Sequence, residues 1–228
     1  MPVFLTAWID PRLFGYIDFW STTQEPGPFS GYHVLSAGER RALGERVGIY
    51  NSFRPAYGAG ELIDAPAIEN RVNPWIAWKY SVDQYFLWEV AYWIPAGINP
   101  WETMAIGGTT HHTWGAGSII YSGEDREFRE DSREIPGPIA SIRMKSWRRG
   151  QQDYEYLWLA HHMGIAVDAI VNSVVPGAFD DYNGATYTTQ RQQPPWPQRG
   201  YAFEKARKDI AFLISEEVNR KKQNKTSR

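Results

Sequence analysis

Cysteine is absent from all 228 residues. That excludes disulfide frameworks, thiolate nucleophiles and cysteine-held metals, and leaves the redox compartment open. Charge of one sign is also scarce: the formal net charge is −2 and the pI is near 6.2. Such a balance provides no basic face for nucleic acid or for an acidic membrane surface. No apolar run approaches the roughly 20 residues of a membrane-spanning helix, and Met1 to Trp8 lacks the basic start and long apolar core of a signal peptide. The expectation is a soluble chain that binds neither nucleic acid nor membrane, with its localisation undetermined. No internal repeat at a solenoid or propeller period is visible.

What is abundant is aromatic: 11 Trp, 13 Tyr and 10 Phe. Rings in excess of what a core of this size needs suggest exposed aromatic surface, on which sugars and other flat, apolar-faced ligands stack. A Trp-rich core explains the same composition, and both readings stand at this point. The length suits one domain, slightly short of a full α/β barrel.

In chain order, Val3 to Ala7 and Tyr16 to Trp20 read as short buried strands around an Asp10-Pro11 turn. Ser36, with Glu39 three residues on, has capping-box spacing and predicts a helix over Ala37 to Arg46. Val47 to Phe53 reads as the next strand. Asp64 and Pro66 open a helix in which Pro74 predicts a break into two pieces. Tyr85 to Val90 is a fourth strand, followed by a long loop from Pro95 to Trp114. Gly117 to Tyr121 is a further short strand, and Glu124 to Glu134 a charged, solvated excursion. From Pro138 the pattern is helical, with Gly150 as a possible break. Residues Tyr201 to Val218 form a last amphipathic helix, and 219–228 are expected to be a disordered tail.

Several segments together resemble one family. They are Asp18-x-Trp20; Tyr50 with Arg54-Pro55; Ile63-Asp64; Arg71 and Trp75 through Trp78-Lys79-Tyr80; Val82-Asp83; Trp88; Asn99-Pro100-Trp101-Glu102; and Ile142-Arg143 through Gly150 to Asp153-Tyr154-Glu155-Tyr156. Their order and spacing over most of residues 3–215 resemble glycoside hydrolase family 123. The resemblance implies a (β/α)8 barrel that hydrolyses N-acetyl-β-galactosaminides by substrate assistance. In that chemistry the substrate's own acetamido oxygen attacks, an Asp orients it, and the adjoining Glu is the general acid and base. That Asp-Glu pair ends barrel strand four, whereas the four strands read here match strands five to eight. The expected fold class is therefore α/β, a partial (β/α)8 TIM-type barrel (about strands 5 to 8) followed by C-terminal helices, with residues 1–218 forming the C-terminal half of the barrel and its helical cap.

No catalytic residue is assigned on this chain. The acidic neighbours it does carry, Glu124-Asp125 and Glu130-Asp131, lie in the charged excursion. Expected substrate-binding residues are Asp18, Trp20, Tyr50, Asn51, Arg54, Trp88, Glu89, Trp93 and Trp101. The acids are placed near strand ends, the four Trp as a stacking wall, and Tyr50 and Asn51 as hydrogen-bond donors to a sugar or its acetamido group. Alternatively Asp18 or Glu89 binds a backbone N–H or an Arg, and individual Trp residues are core. A divergent enzyme using Asp18 and Glu89 is a third reading. His111-His112 and His161-His162 are adjacent pairs whose side chains point apart, so no metal and no cofactor is expected. The expected partner is a carbohydrate, an N-acetylhexosamine-containing glycan. The alternative is a non-catalytic carbohydrate-binding or structural protein that completes its barrel with another chain, either the N-terminal half or a second copy.

Overall fold

The computed structural model describes residues 1–23, 32–51, 59–63, 65–104, 114–179 and 195–226. Four short strands, β1 (Phe4–Leu5), β2 (Phe19–Thr23), β3 (Arg46–Asn51) and β4 (Tyr85–Leu87), are parallel neighbours in chain order. Parallel pairing requires each connection to cross back over the sheet. Helices α1 (Val34–Ala42) and α2 (Ile68–Lys79) lie in the second and third connections. Beyond β4 come a single turn α3 (Trp93–Ala96) and an antiparallel pair, β5 (Ile120–Ser122) with β6 (Pro138–Ala140). Helices α4 (Ile142–His162), α5 (Asp168–Val174) and α6 (Gly200–Thr226) complete a mixed α/β protein.

The side-chain alternation of the strands separates two faces. Trp20, Val47 and Ile49 point to one side, where they meet Val72, Trp75 and Ile76 of α2, Leu157 of α4, Val171 of α5 and Phe203 of α6 in one core. Phe4, Phe19, Tyr50 and Phe86 share the other side. There Phe4 packs edge-on against Phe19 and Phe86, at 5.3 and 5.9 Å between centroids. Tyr50 tilts against Phe86 at 5.6 Å. Phe4 remains 43% exposed and the other three rings are only partly buried.

The helices are joined through a buried carboxylate. Asp153 of α4 is fully buried and accepts from Arg71 Nε at 2.7 Å and from Trp75 Nε1 at 3.0 Å, both on α2. Arg71 also donates to Glu204 of α6 at 2.7 Å, and Arg149 of α4 donates to the same carboxylate at 3.0 and 2.7 Å. A carboxylate removed from water is tolerable only when its lone pairs are filled in this way.

Several local expectations shift. The second strand lies three residues later than expected, at Phe19–Thr23, because Ser21 and Thr22, polar and yet fully buried, are held in the ladder beside β3. Helix α1 begins earlier because His33, not Ser36, is its cap, with Nδ1 accepting from Ser36 N–H at 3.3 Å. Pro74 does not divide α2, which is one helix from Ile68 to Lys79 with ten consecutive buried residues, so packing overrides the local cost of proline. Residues 138–140 are a strand, and α4 starts behind the Ser141 cap, whose Oγ accepts from Met144 N–H at 3.2 Å. Helix α6 continues to Thr226, through most of the segment expected as a disordered tail. Asp64 lies outside the described residues.

Candidate functional site

In parallel strands all carboxyl ends lie on one side, and loops there converge side chains from several elements. The ends of β3 and β4 bring Tyr50 and Asn51 beside the segment from Trp88 to Trp93. Tyr50 is partly buried, and that desolvation raises its phenol pKa above the ordinary value. The hydroxyl therefore stays protonated at neutral pH and can donate. Asn51 ends β3, and its side chain lies outside the described residues, as does Arg54.

Trp88 stands against Tyr92, with 4.6 Å between centroids and 57° between planes. Its seat is Gly117, whose φ is +64° and where a Cβ would lie 2.3 Å from the indole ring. Only glycine supplies both the left-handed backbone and the missing side chain at this contact. Tyr92 N–H donates to the Gly117 carbonyl at 2.8 Å, so strand end and loop are closed on each other. Glu89 is turned back on its own chain, with Oε1 accepting from Val90 N–H at 2.8 Å and Ala91 N–H at 3.2 Å. The backbone N–H alternative weighed for this acid is thus the one the geometry adopts.

Trp93 is buried, with its indole N–H donating to the Ile120 carbonyl at 2.9 Å. Trp101 tilts against Tyr121 at 5.0 Å, and the Arg133 guanidinium lies 4.4 Å from its ring centroid. These contacts place Trp88, Trp93 and Trp101 along the connection from β4 to β5. Trp20 does not join them: it is fully buried on the helix side of the sheet, donating to Glu45 at 2.7 Å. Its place in a stacking wall is therefore corrected to core.

Asp18 is also displaced from its expected position. It precedes β2, where Oδ2 accepts from Val3 N–H at 2.7 Å. The sheet register aligns Phe19, next to Asp18, with Arg46, and Leu87, two residues before Glu89, with Asn51, so even these markers are five positions apart along β3. That is about 16 Å along the strand direction at the usual rise of roughly 3.3 Å per residue. The two acids lie at opposite ends of the sheet and do not form an acid–base pair. Asp125 and Asp131 hold structure: Asp125 accepts from Glu127 and Phe128 N–H at 3.0 and 2.8 Å, and Asp131 from Asn99 at 2.6 Å.

Arg143 organises the loops at this end of the sheet. Arg143, from the first turn of α4, is buried and donates to the carbonyls of Glu61 (2.7 Å), Gly115 (2.6 Å) and Ser118, and to the Tyr121 hydroxyl (3.4 Å). It ties the loop after β3 to the loop that seats Trp88. Its only sequence signal is the Ile142-Arg143 segment of the family resemblance, which marks the position but does not say that the side chain binds carbonyls. Among the described residues no group of three His, Cys, Asp or Glu could hold a metal ion.

The family model for the glycoside hydrolase 123 catalytic domain matches residues 30–160, more than half of the chain. The chain belongs to glycoside hydrolase family 123. The match covers the ends of β3 and β4, the Trp88 segment and most of α4. No curated protein matches the sequence. Among solved structures, a family 123 glycoside hydrolase from Clostridium perfringens, reported in the context of glycolipid glycan hydrolysis, superposes with a TM-score of 0.60 at 14% identity. The alignment covers 96% of this chain and 36% of that enzyme, so the family 123 chain spans about a third of its length. At that identity the likeness is one of fold.

Proposed function

We propose that this family 123 chain is a carbohydrate-active module. In this reading β1 to β4 are strands five to eight of a (β/α)8 barrel, residues 1–218 are its C-terminal half with helical cap, and the strand ends hold an N-acetylhexosamine-containing glycan. The family match over residues 30–160 carries the proposal. Four parallel strands in chain order with helices on one face support it, since a barrel arc has that arrangement. Tyr50, Asn51 and Trp88 are the groups assigned to the sugar, Tyr50 as donor and Trp88 as stacking surface; Arg54 is assigned with them from the sequence pattern.

Substrate-assisted hydrolysis needs an Asp to orient the acetamido group and a neighbouring Glu to move protons. Asp18 and Glu89 are too far apart along the sheet to act as that pair, and in the excursion Asp125 is engaged by the Glu127 and Phe128 N–H groups and Asp131 by Asn99. The polypeptide alone is therefore expected to bind sugar and to hydrolyse little or none. Titration with N-acetylgalactosamine should change Trp fluorescence in the native chain, and Tyr50→Phe should weaken that binding. Turnover of an aryl N-acetyl-β-galactosaminide by the chain alone would overturn the inactivity, and an unchanged fluorescence signal would overturn sugar binding.

A second reading is favoured by the partly exposed aromatic face of Phe4, Phe19, Tyr50 and Phe86. In a closed barrel such a face is interior, so a non-catalytic protein could cover it by completing the barrel with another chain or a second copy. Sedimentation of the chain alone tests the second-copy form: a concentration-dependent dimer that Phe4→Ser abolishes supports it, and a monomer at all concentrations rejects it.

A further inference from the structure

At the opposite end of the sheet from Trp88 lies a groove of about 750 Å³, within the range of small-molecule sites. Its floor is the turn from α2 into β4; Asp83 in that turn accepts from Val47 N–H, at the start of β3, at 2.8 Å. One wall is α4, where Tyr154, Trp158 and His161 recur at the four- and three-residue spacing that aligns side chains on one helix face. Trp78 meets Tyr154 and His161 edge-on, at 5.3 and 5.7 Å between centroids, so the rings stand as perpendicular panels. His162 stacks on Trp158 at 3.7 Å, and Trp158 is nevertheless 46% exposed. The other wall is α5, which supplies Asp168 and Asn172.

The floor is rigid and its charged groups are largely occupied. Ser81 in this floor has φ +52° as the left-handed cap that ends α2, with Val82 N–H donating to the Ala77 carbonyl at 2.8 Å and Ser81 N–H to the Trp78 carbonyl at 3.2 Å, a helix ending that fixes the shape of the floor. The groove's lysine and the floor carboxylate are already matched. Lys79 donates to Asn172 and to the carbonyls of Val175 and Pro176 at 3.0, 2.8 and 2.6 Å, while Asp83 pairs with Arg41 at 3.0 Å. With its one lysine occupied and Asp168 open on the α5 wall, an aromatic-walled groove of this kind suits an uncharged ligand that has an apolar face and donating hydroxyls at its edge.

We propose that this groove is a second glycan-binding site, taking a neutral pyranose stacked on the Trp158 panel with its hydroxyls at Asp168 and Asn172. It would hold a remote part of a glycan while the strand ends take another. The sugar class rests on membership of a glycoside hydrolase family, and the location does not depend on the strand-end assignment.

Calorimetric titration of the full chain with a neutral β-linked N-acetylgalactosaminyl-galactose disaccharide tests it. Trp158→Ala should weaken one binding event at least tenfold, Trp158→Phe should restore most of it, and Trp88→Ala should leave it unchanged. Asp168→Ala, an exposed change on the facing wall, should weaken the same event without loss of thermal stability. Equal binding by the native chain and Trp158→Ala would overturn the proposal, as would the absence of any binding event in Trp88→Ala or in the native chain. Failure of the strand-end reading instead leaves Trp88→Ala indistinguishable from native while Trp158→Ala is impaired.

Discussion

Arg143 shows how one side chain can set the shape of the strand-end region. Its guanidinium reaches three carbonyls from two loops and a tyrosine hydroxyl, in a site with 4% of the residue exposed. Replacing it with methionine keeps the stem and removes every donor; the Gly115 carbonyl keeps the Ser118 N–H at 3.1 Å, while the Glu61 and Ser118 carbonyls lose this donor at about 1–3 kcal/mol each. Arg143→Met should therefore lose about 3 kcal/mol of stability in urea denaturation, near the upper end for single substitutions. Lysine, with one ammonium in place of a planar fork, should recover only part of the loss. The prediction fails if Arg143→Met unfolds at the native urea concentration.

Between elements, the crossing of α2 and α4 depends on an absent side chain. Glycine inside a helix ordinarily costs about 1 kcal/mol relative to alanine, so Gly→Ala in mid-helix usually stabilises. At Gly150 the sign should reverse, because a Cβ would stand 2.4 Å from the Arg71 carbonyl oxygen and 3.1 Å from its carbon. Backbone must move to admit it, and that separation would stretch the Asp153 bonds to Arg71 and Trp75. Gly150→Ala is expected to destabilise by about 2–3 kcal/mol, the scale of an overpacked core, and a raised melting temperature would refute this account of the crossing. The sequence marks Gly150 as a possible helix break; the helix continues through it, and close approach is its role.

At the scale of the whole molecule, Glu204 couples folding to acidity because it binds α6 to both other helices of the network. Hydrogen bonding from Arg149, with Arg71 adding charge and a further bond, lowers its pKa from an ordinary 4.5 to about 2. The folded state thus holds this carboxylate ionised more strongly than the unfolded chain does. The contribution is fully present above about pH 4.5 and is lost as pH falls through about 2. With 36% of the side chain exposed, solvent screening keeps it modest. Glu204→Gln should melt lower than the native chain at pH 6, with the gap narrowing as both approach pH 2. A gap that is constant across this range would show that the pair does not titrate with folding.

Sequence alone determined the features carried by local chemistry and by pattern over long stretches: four strands in order, the helices between and after them, the family, and the aromatic character of the segment around Trp88. These are legible because apolar periodicity and turn residues act over a few positions and motif order is preserved along the chain. Tertiary structure alone decided which end of the sheet a residue occupies. A three-residue displacement of β2, imposed because Ser21 and Thr22 are buried against a neighbouring strand, moves Asp18 from the expected strand end to the strand start and Trp20 into the core. The same holds for Gly117 beneath Trp88 and for Arg143 on its carbonyls. Both are contacts between segments more than twenty residues apart, and hydrophobic pattern carries no information about which distant backbone will arrive there.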